Sequence, residues 1–339
     1  MCSDDAQPES MFFSAATCRS VSGWVSWYFL VSASDAWPFL ATSKLTGHRP
    51  MTLTHDDAAA PTAAVDIAAY FHRIGLSGFE ESAAPDLATL GQIVAAHAQS
   101  IAYENLDKFT GRDVHLDVAA LGAKLVHGGR GGGCFENNML LRYVLDALGY
   151  RTTGLSGRVL WNLPDDAVMP RLGHMLVRVD LPEGPHIVDV GFGSLTITGA
   201  LALESHGEQD TPHGPYRLLP DGSDYVVEGR TGEQWRRMYR FDLCEQLYPD
   251  YEMASWYSSH HPESMFASEL VIGRAGVGCR YTMSGGVSRG AELAVHHVDG
   301  PSERRSLDSP SAVRAALEKY FLIDLSGLPD LDFALMRLF

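Results

Sequence analysis

The sequence predicts an α+β protein whose helical and strand-forming segments are segregated along the chain. Two observations carry this. Up to about residue 150, apolar residues recur with the three-and-four spacing of amphipathic helices. Beyond Tyr150 the period falls to two, in short runs punctuated by Gly and Pro. The order is helical, then β, then a smaller mixed tail, which suits segregated layers rather than a doubly wound parallel sheet. No internal repeat interrupts it.

The elements follow in order. Residues 1–50 hold three of the six tryptophans (Trp24, Trp27, Trp37) among serines and without regular periodicity. They are expected to be a poorly ordered or loosely packed extension, dispensable for chemistry, with the domain proper starting at Met51. Ile67, Tyr70, Phe71 and Ile74 mark the first helix, stopped by Gly75. Pro85-Asp86 opens a second, with Leu87, Leu90 and Val94 along one side. Asp117 caps a short third carrying Leu121 and Leu125. Leu141, Val144, Leu145 and Leu148 mark a fourth, closed by Gly149. His174–Leu181 and His186–Val190 read as a hairpin about a turn at 182–185. Further strands are expected at 225–227, 235–241, 270–272, 280–283 and 292–297. A last helix starts at Ser309-Pro310 with Val313, Leu317 and Phe321.

Composition narrows the function classes. The chain has 339 residues, 45% hydrophobic and 20% charged, which is ordinary for a folded globular protein. Acidic residues outnumber basic ones by 42 to 26, a formal charge of −16. Phosphate backbones and anionic lipid surfaces would repel it, so neither nucleic acid nor membrane is an expected partner. The cysteines (Cys2, Cys18, Cys134, Cys244, Cys279) are odd in number and contain no CxxC pair. That argues against a disulfide framework or zinc ribbon and fits a reducing cytoplasm. The uncharged run from Ser20 to Ser34 is too short to span a bilayer. Asp4, Asp5 and Glu9 occupy the place where a signal peptide is basic. A soluble, cytoplasmic protein is expected. The pairs His260-His261 and His296-His297 make poor chelates, because adjacent strand residues point to opposite faces, so no metal is expected.

The most informative stretch is Gly128-Gly129-Arg130-Gly131-Gly132-Gly133-Cys134-Phe135-Glu136-Asn137-Asn138, with a helix beginning directly after the glycines. A cysteine at a helix N-terminus feels unpaired amide groups, which favour the thiolate and so a nucleophile. The same spacing also fits a buried, inert cysteine beside a flexible loop. A nucleophile needs a base and an orienting group. His174 starts an apolar strand, and Asp189 lies on the strand expected to pair with it. Asp189 is followed by Val190-Gly191-Phe192-Gly193, where backbone can approach a ligand. A mirror register about 182–185 sets Asp189 opposite Arg178, about 13 Å from His174 at roughly 3.4 Å per residue. A shifted register or a bulge has to close that gap.

These residues resemble the arylamine N-acetyltransferases. The family's Arg-Gly-Gly-x-Cys-x-Glu-x-Asn pattern is met by Arg130, Gly131, Gly132, Cys134, Glu136 and Asn138. Its Phe/Tyr-Glu-Asn-Leu element is Tyr103-Glu104-Asn105-Leu106, its strand-borne histidine is His174, and its Asp-x-Gly-Phe-Gly is Asp189 to Gly193. The resemblance implies a three-domain fold: a helical bundle (51–150) carrying the nucleophile, a β-barrel (151–258) carrying His and Asp, and an α/β lid (259–339). It implies a Cys-His-Asp triad of cysteine-protease type formed by Cys134, His174 and Asp189. Acetyl-coenzyme A would be the acyl donor. An arylamine, arylhydrazine or arylhydroxylamine would take the acetyl group from a Cys134 thioester by ping-pong transfer, a xenobiotic-metabolising chemistry. Tyr103 and Phe192 would wall the acceptor ring, and Gly193 would meet the cofactor. Arg130 and Glu136 are expected to form a structural ion pair. An amide synthase homologue, closing a macrolactam from a carrier-bound polyketide, is the alternative on the same triad. One departure stands out: where the family often has an aromatic residue before the cysteine, this chain has Gly133, which is expected to widen the cleft.

Overall fold

The computed structural model describes residues 64–79 and 82–339, so the expectations for residues 1–50 and the start at Met51 lie outside the described residues. The first layer is helical: α1 (Ile67–Arg73), α2 (Leu87–Ser100), α3 (Leu106–Thr110), α4 (Val118–Leu121) and α5 (Cys134–Ala147). The four helices expected from periodicity are present, and Asp117 caps the third as expected. Asp66, Asp86 and Asp117 each accept a hydrogen bond from a first-turn amide. α4 continues as a π-helical turn over Gly122–His127, which keeps Leu125 facing inward. Five residues are too few to show a period, and α3 was missed for that reason.

The second layer is a seven-stranded antiparallel sheet in the order β4-β3-β2-β1-β7-β6-β5. Its strands are β1 (Arg151–Val159), β2 (His174–Leu181), β3 (Gly184–Val188), β4 (Leu201–Ala202), β5 (Tyr216–Asp221), β6 (Asp224–Thr231) and β7 (Gln234–Phe241). The sheet curls until its edges nearly meet, and Gln209 spans the gap. Its backbone pairs with Tyr216 of β5, while its carboxamide exchanges hydrogen bonds with Ala202 of β4 at 2.7 and 3.1 Å. β1 was not foreseen because Gly154 and Gly157 interrupt it. A side chain at Gly154 would run into the Tyr251 hydroxyl, and one at Gly157 would meet the Tyr239 ring. β5 carries Pro220, which an edge strand tolerates.

A four-stranded sheet, β11-β10-β9-β8, forms the third layer with α7 (Pro310–Phe321) and α8 (Leu331–Met336). Its strands are β8 (Glu269–Gly276), β9 (Cys279–Gly286), β10 (Gly290–His297) and β11 (Glu303–Leu307). α7 is therefore not the last helix. Between the sheets runs α6 (Tyr248–His260), which crosses the expected boundary at residue 258. It was missed because only Tyr251 and Ser255 are buried along its length, too narrow a stripe to read as amphipathic.

β2 is the wall between two cores. Met175, Val177 and Val179 face the helices and pack with Leu141, Val144 and Leu145 of α5. Leu176 faces the other way and packs inside the barrel with Leu155, Ile187 and Tyr239. Burial on both faces explains the nearly unbroken apolar run. The hairpin turn is the pair Pro182-Glu183, since Leu181 pairs with Gly184 and Val177 with Val188. The expected register was thus off by two. Continuing the ladder brings Asp189 opposite Leu176, on the face shared with His174.

A buried relay ties the helices together. The Tyr70 hydroxyl bonds His97 Nδ1 at 2.9 Å, and His97 Nε2 bonds Asn137 Oδ1 at 3.1 Å. Burial pulls the His97 pKa down to about 4 from an ordinary 6.5, so its ring is neutral near neutrality. Asn137 in turn donates to the carbonyls of Gly132 and Gly133 at 2.6 and 3.2 Å. Because the folded protein resists a proton that the unfolded chain accepts, this contribution is intact above pH 6.5 and lost as pH falls toward 4. Chemical denaturation at pH 7.5 and pH 5 should show the wild-type chain losing about 2 kcal/mol more than His97→Gln, which cannot titrate. Equal losses would remove His97 as the source.

Candidate active site

α5 begins at Cys134, with Gly133 as its extended N-cap residue. The Gly133 amide donates to Glu136 Oε2 at 2.8 Å, closing the first turn around the cysteine. Cys134 is 9% exposed, and its Sγ lies 3.7 Å from the Gly173 carbonyl oxygen, directly before β2. His174 opens β2, and its Nε2 lies 2.7 Å from Asp189 Oδ2. Asp189 Oδ1 accepts from Asn138 Nδ2 and from the Gly191 amide, each at 2.9 Å. Asn138 uses its second donor on the Met175 carbonyl and its oxygen on the Val190 amide. One α5 side chain therefore clamps the start of β2 to the end of β3.

Electrostatics follow from this packing. Burial pushes the Cys134 thiol up, but the hydrogen bond and charge of His174, with the Lys108 ammonium beyond, bring it below the ordinary thiol value. Burial opposes the charged form of His174, and the Asp189 carboxylate outweighs it, raising the imidazole to about 10. Asp189 is pulled below the usual carboxylate range by His174, Asn138 and Gly191, despite complete burial. The imidazole and the charges around it thus favour the thiolate–imidazolium pair over the neutral thiol. With Nε2 held by Asp189, Nδ1 is the ring nitrogen left for the thiol.

Aromatic rings line the pair. Phe192 meets the His174 ring edge-on at 5.3 Å, and Tyr239 lies 4.6 Å from it. Tyr103 is pinned between the nucleophile loop and β8: its amide donates to the Gly273 carbonyl at 2.8 Å, and Glu104 N–H donates to Gly132. Gly193, with φ +82°, lies against the Tyr103 ring and β8. A side chain at Gly191 would approach Cys134 Cα and Asn138 Nδ2 to 2.7 Å, so only glycine lets this loop pass so close over Cys134.

Comparison with known proteins places the chain. A family described as N-acetyltransferase matches residues 86–329. An arylamine N-acetyltransferase from Mycolicibacterium smegmatis is 42% identical over 272 residues, covering 79% of this chain and 96% of that protein. This chain belongs to the arylamine N-acetyltransferase family. An Escherichia coli arylamine N-acetyltransferase is 39% identical over 74% of this chain and 86% of its own length. The solved structure of a Mycobacterium marinum arylamine N-acetyltransferase in complex with CoA is 35% identical and superimposes with a TM-score of 0.75, covering 80% of this chain and 99% of that one.

Within this member of the arylamine N-acetyltransferase family, the six residues singled out in the sequence, Cys134, His174, Asp189, Tyr103, Phe192 and Gly193, come together at the junction of α5, β2 and the 189–193 loop. The expected Arg130–Glu136 ion pair does not form. Arg130 pairs with Glu104 at 2.6 Å and Asp107 at 3.1 Å, whereas Glu136 pairs with Lys124 at 2.6 Å. Lys124 also reaches Asp107 at 2.5 Å, so five charges interlock beneath the glycine loop. Spacing along the chain could not reveal this, since α3 supplies one of the partners. Asn138 was part of the motif but had no role assigned. The Tyr239 hydroxyl, buried near Asp189, finds no hydrogen-bond partner among the described residues.

Among the described residues, no group of three or more His, Cys, Asp or Glu side chains is placed to hold a metal ion. His260 pairs with Asp113, His296 with Thr282 and Ser302, and His297 with Glu303. No helix among the described residues is long and apolar enough to cross a membrane.

Two outcomes check this geometry. Iodoacetamide should alkylate Cys134 rapidly well below pH 8.5, and His174→Gln should move the profile up by at least one unit toward the ordinary thiol value of about 8.5. A wild-type profile already centred near pH 8.5 would contradict the thiolate assignment. Gly191→Ala should lower stability by about 1–3 kcal/mol in denaturant unfolding and slow alkylation of Cys134. Unchanged stability and unchanged alkylation would show that the loop does not press on the nucleophile.

Proposed function

We propose that the chain is an acetyl-CoA:arylamine N-acetyltransferase acting by ping-pong transfer through a Cys134 thioester. The observation that carries this is a thiol at a helix N-terminus, held below its ordinary pKa beside a buried imidazole–carboxylate pair, in a member of this family. The Cys134 thiolate attacks the acetyl carbonyl carbon. The first-turn amides of α5, which no helical carbonyl can satisfy, face the developing oxyanion. Collapse releases the coenzyme A thiolate, which takes the proton from the His174 imidazolium. An arylamine, arylhydrazine or arylhydroxylamine then attacks the thioester. Neutral His174 accepts its proton, the Cys134 thiolate leaves, and the starting ion pair is restored. Asp189 holds the ring and offsets its charge throughout.

Tyr103 and Phe192 supply the flat walls against which the acceptor ring rests, and Gly193 borders the path for the coenzyme. The three layers correspond in this proposal to the expected bundle, barrel and lid, with the second boundary moved from residue 258 to the end of α6. The free thiols Cys134, Cys244 and Cys279 support action in a reducing cytoplasm.

Incubation with acetyl-coenzyme A and no acceptor should add the mass of one acetyl group to the intact protein, and adding an arylamine should remove it. Cys134→Ala should gain no mass and turn over at less than about one thousandth of the wild-type rate. Acetyl incorporation in that variant, or none in the wild type, would overturn the assignment.

A further inference from the structure

A groove of about 570 Å³ runs between α6 and the 113–117 segment that leads into α4, and the chemistry above does not use it. Tyr248, Glu252, Ser255, Trp256 and Ser259 line its α6 side, at the i, i+4, i+7, i+8 and i+11 spacing of one helix face. The volume is that of a small-molecule site. Apolar surface is left open along it, since Met253 is 71% and Trp256 61% exposed. The His260 ring stacks on Trp256 at 5.4 Å, and Asp113 holds His260 Nε2 at 3.0 Å. The indole is thereby braced on one side while most of its surface faces solvent.

The groove lacks a cation. No lysine or arginine lines it, and Asp117 and Glu252 have no ion-pair partner among the described residues. Asp117 Oδ1 is taken by the Ala120 amide at 2.9 Å, which leaves Oδ2 uncommitted. Burial, with the Glu252 and Asp117 carboxylates adding to it, pushes the Tyr248 hydroxyl up to about 12, so their negative potential is felt along this wall. A hydrogen-bond partner is also missing. Ser255 is 2% exposed, and its hydroxyl meets no partner among the described residues. A buried hydroxyl left unpaired is costly, and this one lies on the groove face between Glu252 and Ser259.

We propose that this groove is a binding site for a small organic cation, a primary ammonium carried on an aromatic body. The ammonium pairs with Glu252 and Asp117 and donates to the Ser255 hydroxyl, while the body lies on Trp256 and Met253. A neutral molecule of the same shape forgoes the ion pairs and leaves both carboxylates unmatched. None of the residues that line the groove belongs to the Cys134 site, so the inference does not rest on the acyl-transfer reading.

The test is calorimetric titration of the full chain with 2-phenylethylammonium and with 2-phenylethanol, its neutral isostere. The amine should saturate one site, and the alcohol should bind at least about tenfold more weakly. Trp256→Ala should weaken the amine about three- to thirtyfold. Glu252→Gln combined with Asp117→Asn, which keeps an oxygen to cap α4, should weaken it about fivefold. Ser255→Ala should weaken it about threefold or more, yet leave the free protein at least as stable in denaturant unfolding, because an unpaired hydroxyl has been removed. A merely structural serine would show the opposite, a loss of stability with affinity unchanged. Alkylating Cys134 with iodoacetamide beforehand should leave the affinity within about twofold. Equal affinity for amine and alcohol, no saturable binding, or affinity indifferent to these substitutions would overturn the proposal. Binding abolished by alkylation would overturn it too, by placing the amine at Cys134. Failure of acetyl incorporation would instead refute the reaction and leave the groove untouched.

Discussion

The carboxylate of Asp189, wholly buried and yet charged, is the constraint around which the rest of the site is arranged. An unpaired carboxylate in such a place is costly enough that it would normally take up a proton. Three donors prevent this: the His174 ring at 2.7 Å, the Asn138 amide at 2.9 Å and the Gly191 backbone at 2.9 Å. They come from β2, from α5 and from the loop after β3, so the three pieces of chain must meet for the charge to be tolerated. Removing one partner from such a group costs about 3–5 kcal/mol, which makes the arrangement close to all-or-none. The same meeting sets the Cys134 thiol beside the imidazole, and so its lowered pKa is a consequence of how the fold keeps one acid ionised.

Rigidity in a glycine-rich loop has a comparable origin. Residues 128–133 lack side chains to pack, apart from Arg130, and on propensity alone would be mobile. Arg130 anchors the loop to Glu104 and Asp107 of the neighbouring segment, and Lys124 joins Asp107 to Glu136. From the other side, Asn137 holds the Gly132 and Gly133 carbonyls and is itself held by the neutral His97. Charged groups thus grip one face and a neutral relay the other. The loop can approach Tyr103 and Ala102 closely because it is glycine, and it stays in place because its carbonyls and its one long side chain are committed.

The parts of the site legible in sequence were those carried by local pattern. A glycine run ahead of a helical period marked Cys134, and an apolar run with a polar first residue marked His174. Asp189 was placed on the right strand with the wrong partner, because the turn was taken as four residues when Pro182-Glu183 suffices. A slip of two keeps a side chain on its face, whereas a slip of one would have turned Asp189 away from His174. Elements whose residues answer to distant neighbours were not legible. The glycines of β1 make room for Tyr239 and Tyr251, and α6 buries only Tyr251 and Ser255, so neither shows the period of its own class. The partners of Arg130 and Glu136 failed for the same reason, since adjacency in a motif says nothing about which charge α3 delivers.

Position 133 shows how a substitution can be misjudged when only its size is considered. Removing a ring beside a nucleophile suggests an emptier cleft. Here a Cβ would meet Lys108 Nζ at 3.4 Å and Glu136 Oε2 at 3.7 Å, and the helix carrying Lys108 was too short to be seen in the sequence. The change is therefore one of polarity more than of volume. Burial pulls the Lys108 ammonium toward its neutral form, while the Cys134 thiolate, Glu136 and Glu104 favour the charge from a distance. A net charge of −16 lowers the energy of any buried cation without choosing where it goes. Its location beside Cys134 is fixed by α3, which Asn105 ties to β8 through hydrogen bonds to the Glu269 carbonyl and the Val271 amide. The segment that holds Tyr103 against Gly193 thus also delivers the ammonium, and both depend on the same short stretch from 103 to 108.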